Sequence, residues 1–537
     1  MPKPTITFDH DGRHPLIYMY EPPVYRQEVE AAVDELAGTP VEAIMLGLGD
    51  VDTLLYDSSV GQLWGREIVD WPHHIWRRAH QNFSQLADQG EDLLGILRRR
   101  AHEKGMALYA SLLAQQGPRE ISLRHWEKEN HQQRDMMQEV EPLEIGAKGG
   151  VDPDWPGLRS RDFMREQVRE RTLGVIAEVL ADYPVDGIEL CLSYQPYYFH
   201  PDEVEAGRAV MTDWIREVFK AVKSSGAAGL DGGERELVVR VPAWLEGGNQ
   251  VGLDVRTWME AGIVDVVVAV GAGYGGTADP NGDFHDVVGA AAGTGTRVLA
   301  GLQGRVSTDR ISGITIEMVR ACATNAWDQG VDGIQAEHWF GMWPYDSNFY
   351  EMLREVGQPD IMAPKDKIYW IPTATDAPER PVHAPLQPRR LPLEVPEGQT
   401  VKVAIRVSDD LKQWRAMGRV HDVLLRVRVS HCTEQHRLRL VFRGRELPAA
   451  ELRRINQMYT MFTPRYRVFG QWFVCHLPWE LWPEPGDNEF ELALLERDPV
   501  MAQEIALRDV ELEIRYLKGK SFHRGFVDED LGPYEHG

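Results

Sequence analysis

Between the start of the chain and about residue 360, short runs of β-branched or apolar residues alternate with longer segments whose apolar residues recur every three or four positions. The runs are "PLIYMYE" near Ile17, "VEAIMLGLG" near Ile44, "MALYASLL" near Tyr109, "VDGIELCLS" near Glu189, "ELVVRVPAW" near Val239, "VDVVVAVGA" near Val267, "RVLAGLQG" near Leu299 and "VDGIQAEHW" near Glu337. Between them lie helical stretches such as "EDLLGILRRRAHEKG", with Gly105 as its stop signal, and "RDFMREQVRERTLGVIAEVLADY". Eight β-then-α units that close on themselves predict a parallel (β/α)8 TIM barrel, an α/β fold. A doubly wound open sheet is the alternative such a pattern allows.

A proline-dense stretch, "IPTATDAPERPVHAPLQPRRLPLEVPEG", follows and lacks the periodicity of a packed element. Beyond it, "TVKVAIRVS", "HDVLLRVRVS", "HRLRLVFRG", "QWFVCHLP", "NEFELALLE" and "RDVELEIRY" alternate apolar with polar residues between turn signals, which predicts an antiparallel β-sandwich. The expected organisation is a barrel over 1–362, a connector over 363–397, a sandwich over 398–520 and a polar tail over 521–537. The sandwich is expected to pack on the barrel or to assist in capturing substrate.

The formal net charge of −25 argues against nucleic acid or an anionic membrane as a main partner, because both repel an acidic surface. No segment reads as a signal peptide or a membrane span. The cysteines Cys191, Cys322, Cys432 and Cys475 lack metal-ligand spacing and are not expected to form a disulfide framework, which fits a reducing cytoplasm. No cofactor or metal is expected, and a homo-oligomer stays open.

Strand side chains alternate, so Ile188, Leu190 and Leu192 share the face that the outer helices cover, and Glu189, Cys191 and Ser193 face the lumen. The same parity sends Gln335, Glu337 and Trp339 inward on the eighth strand. The Val-Asp-Gly shared by the two strands sits at the opposite end, where turn chemistry explains it. A lumenal carboxylate is costly to desolvate unless paired, so Glu189 and Glu337 are either functional or locked in ion pairs. Arg240 on the fifth strand is the natural partner of Glu189, or alternatively a rim cation for a substrate carboxylate.

The strand exits are rich in aromatic rings: Tyr194, Tyr197, Tyr198 and Phe199 after the fourth, Trp339, Phe340, Trp343 and Tyr345 after the eighth, and Trp64, Trp71 and Trp76 after the second. Aromatic faces stack on the apolar faces of sugar rings, which points to a carbohydrate substrate. Tyr194, Tyr197, Trp339, Trp343, Gln303, Gln335 and Arg240 are the candidate binding residues. Glycoside hydrolysis needs a carboxylic acid to protonate the leaving oxygen and a second carboxyl group as base or nucleophile. Glu337 is the first candidate, with Glu189 deeper in the lumen. The partner is sought on the first or second strand, as Glu21 or Asp50, and His125 or His131 in the third exit loop is available to move a proton.

The stretches "YEPPVYRQEVEAAVDELAGTPVEAIMLGLGDVDTLLYDSSVGQLWG", "VDGIELCLSYQPYYF", "RVPAW", "GLDVRTWMEAGIVDVVVAV" and "GDNEFELALL" together resemble bacterial glycoside-hydrolase-like barrels with a C-terminal β-sandwich, some of them similar to inverting exo-sialidases. The resemblance implies action on a glycosidic bond. Leu113-Ala114-Gln115-Gln116 stands where those sialidase-like relatives carry Arg-Met-Asn-Asp. The fourth strand resembles the chitinase pattern Asp-Gly-x-Asp-x-Asp-x-Glu, with Cys191 and Ser193 in place of its last two acids. The seventh strand ends in Gln303 and Arg305, where common retaining barrel glycosidases carry a glutamate nucleophile. A metal-dependent sugar isomerase or epimerase using Glu189 and Glu337, and a non-catalytic carbohydrate-binding barrel, are the rival expectations. The glycine run at Gly271 is expected to be a rim loop rather than a nucleotide fingerprint.

Overall fold

In a computed structural model that describes residues 3–14, 16–66, 68–71, 73–115, 142–153, 155–271, 277–306, 311, 313–373, 391–456 and 470–519, eight parallel strands close into a barrel, and antiparallel sheets follow. The barrel strands are β1 (Ile6–His10), β2 (Ala43–Gly47), β3 (Ala107–Leu113), β4 (Gly187–Cys191), β5 (Glu236–Pro242), β6 (Val266–Val270), β7 (Arg297–Gln303) and β8 (Gly333–Glu337). Each pairs with the next, and β1 pairs with β8.

Seven of these strands lie where the hydrophobic runs predict them, and the first does not. β1 is "ITFDH", upstream of "PLIYMYE". Its alternation puts Ile6 and Phe8 among the helix-facing core residues. Thr7 and Asp9 take the lumenal side. Residues Leu16–Tyr20 instead form turns that pack against the helix His74–Asp88, whose Asn82 amide donates to the carbonyls of Ile17 (3.2 Å) and Tyr20 (3.0 Å). Leu16, Ile17 and Tyr18 are the buried anchors of a loop, and Met19 is exposed.

The parity expected for β4 holds, with Ile188, Leu190 and Leu192 packed in one core with the outer helices. The repeated Asp-Gly is a strand-entrance brace. Asp186 accepts from the Leu108 backbone N–H at 2.7 Å, and Asp332 from that of Val298 at 2.8 Å, each tying its strand to the preceding neighbour. A side chain at the adjacent glycine would overlap the carbonyl oxygen of the strand on the other side, Glu236 for Gly187 and Thr5 for Gly333. Inside the barrel, Ala43, Met45, Ala107, Tyr109, Val238, Val266, Val268 and Leu299 form an apolar plug, with polar side chains towards the C-terminal strand ends.

The second domain pairs a sheet ordered β10-β18-β12-β16-β15, with β9 also on β18, against a sheet ordered β11-β17-β13-β14. The strands are β9 (Lys367–Trp370), β10 (Leu393–Glu394), β11 (Thr400–Val407), β12 (Val420–Ser430), β13 (Arg437–Phe442), β14 (Arg445–Glu446), β15 (Leu452–Asn456), β16 (Gln471–His476), β17 (Gly486–Glu496) and β18 (Ala506–Tyr516). Ile405, Phe442 and Phe490 of one sheet meet Leu425, Val427 and Leu512 of the other in a common core. β9 and β10 arise inside the stretch read as a connector.

The sandwich packs on the barrel helix Ile316–Asp328. Ala321 belongs to the sandwich core, and the Asn325 amide donates to Arg406 O at 3.0 Å. At this junction the buried Lys367 ammonium donates to three backbone carbonyls and to Asp409, which also accepts from the hydroxyls of Tyr369 and Tyr516. Among the described residues, no helix is long and apolar enough to cross a membrane.

Candidate functional site

A cleft of about 630 Å³ opens at the C-terminal ends of the strands. Its floor includes Asp9 from β1, Ser111 from β3, Cys191 from β4 and Arg240 from β5. Asp11, Arg13, His14 and Tyr18 from the first exit loop line its wall, together with Trp76, Tyr194, Arg305, His338, Phe340 and Trp343.

Arg240 is the hub of the floor. One guanidinium nitrogen stands 3.1 Å from Asp9 Oδ1 and 3.1 Å from Glu189 Oε2, and the other is 4.0 Å from Glu337 Oε1. It pairs with Glu189, the first of the two sequence readings, and it also lines the cleft. Glu189 is fully buried, accepts from Ser111 Oγ at 2.5 Å and from the Gln335 amide at 2.9 Å, and serves as the inner anchor of the cation. Gln335 in turn accepts from Thr7 Oγ1 at 3.1 Å, so both ends of its amide are committed to barrel closure. Although burial opposes its charge, Arg240 is held well above the ordinary guanidinium range by Asp9 and its other acidic neighbours.

Glu337 lies beside this group in a different state. Gln303, its cross-strand partner on β7, donates to Oε2, while Oε1 is buried without a hydrogen bond among the described residues. Burial, reinforced by the charges of Asp9 and Glu189 and opposed by Arg240, pushes its carboxyl up to about 8. Near neutral pH it carries its proton. Gly301 gives it room, because a Cβ there would overlap the Glu337 carboxylate and stand 3.2 Å from Val270.

The carboxylate that stands level with Glu337 on the neighbouring strand belongs to the true β1. Thr7 aligns with Gln335 and Phe8 with Ala336, so Asp9 follows at the level of Glu337. Glu21, assigned to the displaced first strand, has a side chain 81% exposed and pairs with Arg78 outside the cleft. Asp50 is also not a lining residue. It caps its own loop, accepting from Asp52 N at 3.0 Å and Thr53 Oγ1 at 2.8 Å. His125 and His131 lie outside the described residues.

The aromatic candidates divide. Tyr194 and Trp343 line the cleft, as do Phe340 and Trp76. Trp339 is fully buried, donates its indole N–H to Leu302 O at 3.0 Å and packs in the core. Tyr197 is buried against Trp155, with ring centroids 5.4 Å apart. Parity counting fails at Trp339 because β8 ends at Glu337 and His338 turns the chain with φ 58 and ψ 17. Asp9, Asp11 and His338 were missed by sequence reasoning. The signal for Asp9 was the alternation Ile6-Thr7-Phe8-Asp9, the pattern that located Glu189.

No family model and no curated protein matches the chain. Among solved structures it is similar to the endo-β-1,4-mannanase from Thermotoga petrophila, at 11% identity and TM-score 0.41 over 94% of this chain and 97% of that one. The α-amylase from Geobacillus thermoleovorans aligns at 11% identity and TM-score 0.37 over 93% and 99%. A cycloisomaltooligosaccharide glucanotransferase from Paenibacillus sp. aligns at 11% identity and TM-score 0.36 over 95% of this chain, which spans only 57% of that enzyme. Likeness at this level assigns neither reaction nor substrate, which rest on the site itself.

Proposed function

We propose that the chain is a glycoside hydrolase in which Glu337 donates the proton to the leaving oxygen and Asp9, at the cleft surface, is the base or nucleophile. The observation that carries the reading is geometric: a buried carboxyl group held by Gln303 stands level with a second one paired with a cation, at the ligand end of a barrel. Arg240 holds Asp9 in place and is itself anchored by Glu189. Arg240 is engaged by Asp9 and Glu189, and the reading is glycoside hydrolysis in general, with no sugar specified. Tyr194, Phe340, Trp76 and Trp343 offer the sugar its stacking surfaces. With its four cysteines buried and free, the enzyme suits a reducing compartment such as the cytoplasm.

The isomerase alternative fits the donor set poorly, since a guanidinium occupies the space between the carboxyl groups that a divalent cation would need. A sugar-binding barrel without catalysis is the second reading, favoured by the position of Glu337. Its side chain is only 2% exposed and lies behind the Asp9 and Arg240 that line the cleft. A panel of aryl glycosides and polysaccharides, offered to the wild type, Glu337→Gln and Asp9→Asn, separates the two. Hydrolysis by the wild type that falls at least about a hundredfold in both variants while sugar binding persists supports the hydrolase. Binding without hydrolysis in all three supports the second reading.

A further inference from the structure

His338 is the one non-glycine residue with positive φ among the described residues of the barrel; the other two, His431 and Arg443, belong to the sandwich. At φ 58 and ψ 17 the backbone is in the left-handed region, which costs an L-residue energy unless something is gained. The strained position is not in a remote hairpin but at the first residue past β8, on the cleft wall. Its ring is partly open, with a side chain 26% exposed, and its Nδ1 is buried without a hydrogen bond among the described residues, 4.0 Å from Asp9 Oδ2. The Phe340 ring, with centroids 5.3 Å apart, limits where the imidazole can turn. Backbone strain, an unsatisfied buried nitrogen and a cleft-facing ring coincide in one residue.

We infer that His338 is a substrate-binding residue, its Nδ1–H directed to Asp9 and its Nε2 accepting a hydrogen bond from a sugar hydroxyl. This rests on the carbohydrate reading above and names a contact within it. A gap of 4.0 Å is too long for a hydrogen bond, and occupancy of the cleft closes it, so that ligand binding satisfies a nitrogen that has no partner among the described residues. Keeping the ring there requires the left-handed turn. Glycine would make that turn without strain, at the loss of the contact.

Three measurements test it. Nitrogen-15 spectra of the histidine rings, with His338 assigned by its absence in His338→Ala, should show a neutral ring protonated on Nδ1; protonation on Nε2 alone overturns the inference. His338→Gly should melt above His338→Ala, since both lack the ring and only alanine keeps the strain; equal or reversed melting temperatures overturn it. For any methyl glycoside or tetrasaccharide of glucose, galactose, mannose or N-acetylglucosamine that the wild type binds, His338→Ala should bind about tenfold more weakly. His338→Asn, which tolerates the turn and retains an acceptor, should recover part of that loss. Unchanged affinity in His338→Ala sinks the inference and leaves the hydrolase reading standing. A wild type that neither binds nor cleaves any of these sugars removes both.

Discussion

Arg240 on β5 reaches across the barrel mouth to Asp9 on β1, with 3.1 Å between guanidinium nitrogen and carboxylate oxygen. That single cation balances charges supplied by strands far apart in sequence. Arg240→Met should leave Asp9 and Glu189 buried without compensation and destabilise the fold by about 3–5 kcal/mol. Urea unfolding of the two proteins at pH 7 measures the loss, and a difference under about 1 kcal/mol would show that the cluster is solvated.

The protonated Glu337 predicts a stability that depends on pH. Its carboxyl binds a proton up to about 8 in the folded chain, against an ordinary value near 4.5. Between those limits the folded state holds more protons than the unfolded one, so this group's contribution to stability falls as pH rises through the window and levels off above it. The slope is at most about 1.4 kcal/mol per pH unit. Glu337→Gln should abolish that component, seen as a flatter pH dependence of the urea midpoint between pH 5 and 8. Hydrolysis by the wild type should fall as pH passes about 8, where the proton donor is lost.

Gly301 is the space that Glu337 occupies. Gly301→Ala should displace the carboxylate from its bond with Gln303 and lower kcat/KM by about tenfold or more, because a small misplacement of a reacting group is costly. A crystal structure of the variant with Glu337 unmoved would remove the basis for this expectation.

The two tryptophans after β8 should behave in opposite ways. Trp339→Ala empties a core position and should cost about 3–5 kcal/mol of stability. Trp343→Ala removes a cleft-facing ring and should change stability by no more than about 1 kcal/mol while weakening sugar binding several-fold. Calorimetry on both, with and without sugar, checks the pair.

The barrel was legible because seven of its strands are apolar runs in which the lumenal side chains interrupt the pattern one at a time. The polar pentapeptide of β1 was not, since its buried strand carries Thr7 and Asp9 inward and leaves only Ile6 and Phe8 as apolar signal. The richer run after it is apolar because Leu16 and Ile17 cover a helix, and hydrophobicity reports burial rather than strand pairing. That displacement made Glu21, rather than Asp9, the first-strand candidate beside the second-strand Asp50. On β4 and β8 alternation located Glu189, Gln335 and Glu337 on the lumenal side, and it stopped being informative one residue later, where His338 reverses the chain. No spacing rule could have separated Trp339 from Trp343.

β9 leaves the barrel and lies against β18, the last strand of the sandwich, with Trp370 opposite Glu511. A polypeptide emerging from the ribosome therefore releases the opening strand of its second domain long before the partner for that strand exists. Until β18 has been made, Lys367 has no completed pocket and Tyr369 no apolar neighbours from that strand. Truncations ahead of β18 should then injure the barrel's flank as well as the sandwich, because Ile368 and Trp370 of β9 belong to the barrel's core and Tyr369 to the sandwich's.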